Sequence, residues 1–107
     1  MELLFEYVRQ AHFPELFSRF ESFFACESIE DARLFKNNFG GGEGGIFEVY
    51  TENRHFRGNI NLLNNDQTSL VCSQFAHAYW KGQQGPFPYC FWEVLLELPV
   101  TIGQRIE

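Results

Sequence analysis

Basic residues are scarce in this 107-residue chain: eight Lys and Arg stand against fourteen Asp and Glu, for a formal charge of −6. They are also scattered, with Arg54 and Arg57 the nearest thing to a patch. Non-specific nucleic-acid binding draws on clustered cations that displace counterions, so direct nucleic-acid binding is not expected. An acidic surface suits a basic protein partner instead. Long apolar runs are missing too. No segment approaches the roughly 20 residues of a membrane span, and no apolar N-terminal run resembles a signal peptide. Cysteine is limited to Cys26, Cys72 and Cys90, odd in number and widely spaced. Neither C-x-x-C nor H-x-x-x-H spacing occurs, so these thiols with His12, His55 and His77 make no metal motif. Free thiols in a reducing cytoplasm, and no metal, are the expectation.

What the chain has in plenty is aromatic surface: thirteen Phe, four Tyr and two Trp. Aromatic side chains bury large areas, so they can give a short chain a sufficient core, or a partner an aromatic face. The length fits one domain, residues 1–107.

Hydrophobic spacing then orders the elements. Leu4, Tyr7, Val8 and Ala11 recur at three- and four-residue intervals, which predicts an amphipathic helix over residues 1–11. Pro14 interrupts it, and 12–19 reads as a turn or a short second helix. Residues 21–26 (Glu-Ser-Phe-Phe-Ala-Cys) are apolar and aromatic, as a buried strand would be. Ser28 with Asp31 resembles a capping box, after which Ile29, Ala32, Phe35 and Phe39 share a helix face up to Gly40.

Residues 40–45 hold five glycines and formally satisfy G-x-G-x-x-G through Gly40, Gly42 and Gly45. A dinucleotide loop needs a strand before it and a helix after it. Here the order is inverted, because residues 46–50 read as a strand. The stretch is therefore a connection. Residues 55–63 hold another strand, and Asp66 reads as the N-cap of a helix that runs through Leu70, Phe75 and Tyr79 to Gly82. Residues 91–98 alternate as a strand, and 99–106 supply one more after a bend. The fold class is α+β: a small, mainly antiparallel sheet of four or five strands with two or three helices.

Period-two geometry sets Trp92, Val94, Leu96 and Leu98 on one face of the penultimate strand and Glu93 on the other, between Phe91 and Leu95. An unpaired buried carboxylate is costly, so Glu93 belongs at a cleft or on a solvated sheet face. Arg54, His55 and Arg57 read as a solvated strand end or a small cationic spot for an anion. Cys72 and His77 are five apart, which suits a core thiol and a partly exposed imidazole better than a nucleophilic pair.

Residues 18–28 (Ser-Arg-Phe-Glu-Ser-Phe-Phe-Ala-Cys-Glu-Ser) and 30–35 (Glu-Asp-Ala-Arg-Leu-Phe) resemble a bacterial family of uncharacterised domains. So do, in order, Phe56-Arg57-Gly58-Asn59, 75–80 (Phe-Ala-His-Ala-Tyr-Trp) and 92–96 (Trp-Glu-Val-Leu-Leu). That family is thought to belong to the ADP-ribosyltransferase-like superfamily. The resemblance implies NAD as cofactor, with Ser22, Phe23 and Phe24 on a strand lining the nicotinamide pocket. It implies Arg19 near a phosphate and Glu93 as the catalytic carboxylate, which would steady an oxocarbenium-like state. Active members carry a His or Arg on a first strand, whereas this chain starts at the helix expected after it. His12 is the nearest candidate replacement. The missing strand implies a sheet edge covered by a partner or a second copy. Two functions follow: an NAD-dependent ADP-ribosyltransferase acting on a macromolecular acceptor, or a non-enzymatic interaction or inhibitor module of the same fold, such as a phage counter-defence protein.

Overall fold

A computed structural model describes residues 1–38, 44–63 and 66–107. Among these, three α-helices and five strands form in the order α1 (Glu2–His12), β1 (Ser22–Cys26), α2 (Ile29–Asn38), β2 (Phe47–Tyr50), β3 (His55–Asn59), α3 (Ser69–Trp80), β4 (Trp92–Glu97) and β5 (Thr101–Arg105). The class is α+β, but the strands do not form the single sheet expected from the sequence. They split into a three-stranded antiparallel sheet, ordered β1-β4-β3, and a two-stranded one, β2-β5. The split falls at Pro99, which has no N–H to carry a ladder onward. The chain bends there and leaves one sheet for the other.

The core lies on one face of the larger sheet. Phe5 and Val8 of α1 and Phe75, Ala76, Tyr79 and Trp80 of α3 pack with Leu62 and Leu95. The inward stripe of α1 is Phe5 and Val8 rather than the Tyr7 and Ala11 of the expected face; Tyr7 is 62% exposed. The helix is turned so that the Phe5 ring meets Tyr79, centroids 5.4 Å apart, while Trp80 Nε1 donates to the Phe5 carbonyl at 2.8 Å. A buried indole N–H must find an acceptor, and this one fixes how α1 sits on α3.

Local chemistry sets the element ends. Ser28 Oγ accepts from the Asp31 N–H at 3.1 Å, as the capping pattern predicts. Phe39 and the glycines 40–42 lie outside the described residues. β3 stops at Asn59, earlier than expected, because that side chain accepts from the Asn61 and Phe91 N–H groups at 3.2 and 3.1 Å. A short 3-10 turn, Ile60–Leu62, follows. α3 is capped by Thr68, whose hydroxyl accepts from Val71 N–H at 3.3 Å, and not by Asp66. The extended backbone of Thr68 puts its oxygen over the first turn, as a cap requires. Gly82, at φ +71°, lets the chain leave the helix in a left-handed conformation. No described helix is long and apolar enough to cross a membrane.

Candidate functional site

The central strand β4 carries Glu93 and Leu95 toward the helices. Leu95 is fully buried and Glu93 is 6% exposed, so the carboxylate lies neither on a solvated sheet face nor at an open cleft. Its partners come from two other elements. Tyr79 of α3 donates its hydroxyl proton to Glu93 Oε1 at 2.6 Å. Arg19, from a one-turn 3-10 helix at Arg19–Glu21, forms an ion pair with the same carboxylate. Arg19 Nη1 also donates to the Tyr79 oxygen at 2.8 Å, and its Nε and Nη2 donate to Glu2 of α1 at 2.9 and 3.1 Å.

The surroundings of this cluster follow from small residues and short turns. Gly58 of β3 stands opposite Glu93 in the ladder, and the Tyr79 ring fills the place of its missing side chain. A β-carbon there would lie 2.6 Å from Tyr79 Cζ. Ser18 caps the turn by accepting from Phe20 N–H at 3.0 Å, and its hydroxyl donates to Glu6 at 2.8 Å. Arg9, then Gln10 and Ser18, hold Glu6 well below the usual carboxylate range, at about 2, against the opposing effect of its partial burial. Burial pushes the Tyr79 phenol up, opposed by Arg19. A buried ion pair gains little over apolar packing, but losing one partner strands the other charge. Arg19 and Glu93 therefore act on stability chiefly through what their separation would cost.

The five residues assigned to the site thus divide. Arg19 and Glu93 meet directly. Ser22 turns back, its hydroxyl donating to the Ser18 carbonyl at 2.5 Å. Phe23 and Phe24 line a groove of about 670 Å³ that runs between β1 and α2 on one side and the β2-β5 sheet on the other. Glu93 is not among the groove's lining residues, although its ladder neighbour Cys26 is. The Arg19 guanidinium lies 4.9 Å from the Phe24 ring centre, so one aromatic stands between the buried cluster and the groove. Burial, and then Asp31, push the Cys26 thiol up, away from the reactive thiolate.

The other candidates are occupied. Arg54 pairs with Glu97 at 2.6 Å and donates to the Glu15 carbonyl at 2.6 Å. Arg57 pairs with Glu27 and lies 3.9 Å over the Trp92 ring. The cationic spot is therefore largely neutralised. Cys72 is buried, whereas His77 faces His12 with ring centroids 4.8 Å apart. Burial, His12 and Lys81 push the His77 imidazole down. Among the described residues no group of three or more His, Cys, Asp or Glu is placed to hold a metal ion.

Sequence reasoning missed Glu2, Tyr79 as a polar partner, and Gly58. A glycine inside a strand is the one signal that could have pointed to a close approach there.

The chain belongs to the family described as protein of unknown function (DUF2441), whose model matches residues 1–107. No curated protein matches the chain.

Proposed function

We propose that this protein is a non-catalytic binding module on an ADP-ribosyltransferase-like scaffold, and that it takes a macromolecular partner in the groove between its two sheets. One observation carries the reading: Glu93 is closed off by Arg19 and Tyr79, outside the groove that Phe23 and Phe24 line. A carboxylate that is to steady a cationic sugar must meet it, and this one is already neutralised by a buried guanidinium.

NAD fits these residues poorly. Its pyrophosphate needs a cation, yet Arg19 is 8% exposed and bonded to Glu2, Tyr79 and Glu93. Lys36 is the cation among the groove's described lining residues, opposite in charge to Glu27 and Glu48. The groove is instead rich in exposed aromatic surface at Phe24, Phe35, Phe47 and Tyr50, the character of an interaction site. None of the three cysteines forms a disulfide, which suits a reducing, cytoplasmic setting.

A second reading, NAD-dependent transfer, draws on Phe23 and Phe24 in the groove and on Cys26 facing Glu93 across the ladder. It requires Arg19 and Glu93 to part. The deciding experiment incubates the protein and Glu93→Gln with NAD, follows nicotinamide by chromatography, and runs a calorimetric titration beside it. The module reading expects nicotinamide at the rate of the protein-free blank and no heat of binding. Turnover by the natural protein that disappears in a folded Glu93→Gln would establish the transferase and end the module reading.

A further inference from the structure

Successive side chains of a strand point to opposite faces, so consecutive residues line one cavity only where the cavity runs along the strand's edge. Both walls of the groove have this signature. Phe23, Phe24, Ala25 and Cys26 of β1 all line it, and so do Phe47, Glu48, Val49 and Tyr50 of β2. Among the described residues β1 is the outer strand of its sheet, bonded only to β4, and β2 is bonded only to β5. The β1 edge therefore borders the groove with backbone N–H and C=O groups to offer, while Ile102 and Ile106, which line it as well, show that it also covers the face of the second sheet. A five-residue strand, about 17 Å long, 4.8 Å wide and 10 Å thick, occupies about 800 Å³. The groove, at about 670 Å³, is of that size.

Charge decides what kind of strand enters. β1 is flanked by Glu21 and Glu27, and α2 opens with Glu30 and Asp31. The field of Asp31 reaches Cys26 inside the groove. Against these stand Lys36 in the lining, Arg57 on Glu27, and Arg105 over Phe47. With −6 on the chain as a whole, the surroundings favour a basic visitor. A second copy suits the edge less well. Symmetric antiparallel pairing about Phe24 would set Glu21 against Glu27 of the other copy, and directly opposed like charges destabilise a strand pair.

Resting on the groove as the binding site, we infer that it is a strand-addition site for an extended peptide with an apolar centre and basic ends. Backbone bonds to β1 supply much of the affinity, while the exposed rings and acidic flanks select the sequence.

The test uses the capped peptide acetyl-Lys-Thr-Val-Phe-Val-Thr-Lys-amide, titrated into the isotope-labelled full chain and followed by backbone amide shifts. The expected result is saturable shifts at Phe24 and Val49, with affinity about tenfold or more weaker when both Lys are replaced by Glu. N-methylation at alternate residues removes the N–H groups of one edge and is expected to abolish binding. The exposed double change Glu21→Lys with Glu30→Lys is expected to reverse the preference between the two peptides. No shifts at millimolar peptide in a folded monomer would overturn the inference, as would equal binding of the N-methylated peptide. Sedimentation as a dimer with protected amides at Phe23 to Cys26 would give the groove to a second copy and overturn it as well. These failures leave the module reading standing; NAD turnover lost in Glu93→Gln removes that reading itself.

Discussion

The guanidinium of Arg19 and the carboxylate of Glu93, far apart in the chain, are locked together through the Tyr79 hydroxyl, which accepts from one and donates to the other. The phenol oxygen is thus satisfied twice inside the core. Glu2, whose side chain is 45% exposed, ties the same guanidinium to α1 at the protein surface. One cluster joins α1, α3, the central strand and the turn before β1, which is why we read it as a device that fixes the fold.

Tyr79→Phe tests the shared hydroxyl. It keeps the ring against Gly58 but removes a donor to a buried carboxylate and an acceptor for a buried guanidinium. Hydrogen bonds to charged groups are worth about 1.5–3 kcal/mol, and a loss in that range is expected in urea denaturation at neutral pH. An unchanged midpoint would mean that Arg19 and Glu93 do not need the phenol.

Gly58→Ala tests the close approach of β3 to α3. The added carbon would meet the Tyr79 ring, which is fully buried and hemmed in by the rings of Phe5, Phe56 and Trp80. Overpacking of this kind costs about 1–3 kcal/mol. A fall in thermal midpoint with retained circular dichroism is the expected outcome.

Acid should weaken the fold through Glu6. Arg9, Gln10 and Ser18 depress its folded pKa to about 2 from an ordinary value of 4.5. The stabilisation is complete above the unfolded pKa and is lost as pH falls from about 4.5 toward 2, because the unfolded chain takes up the proton first. Denaturation midpoints measured across that window should decline less steeply in Glu6→Gln than in the natural protein.

Much of the fold was legible in the sequence, because the element types follow directly from period and caps. α2 with its Ser28 cap, the strand around Phe23 and Phe24, and the alternation that puts Glu93 opposite Trp92 all needed only local spacing. The division into two sheets was not legible, since strand pairing between distant segments leaves no local mark. Arg19 and Glu93 could be singled out from the resemblance, but not their union. That depends on Gly58 admitting the Tyr79 ring, a contact among three elements far apart in sequence. The rotation of α1 was hidden for a similar reason: Phe5 and Tyr7 are equally plausible inward residues until α3 supplies Tyr79 and Trp80.

The most direct test of the central claim is equilibrium urea denaturation of Glu93→Gln beside the natural protein at neutral pH. If Glu93 serves the fold, the variant leaves Arg19 buried with Glu2 as its remaining acidic partner among the described residues, and stability should fall by about 3 kcal/mol. Glu93→Gln with undiminished stability would contradict the account and return Glu93 to the chemistry of the groove.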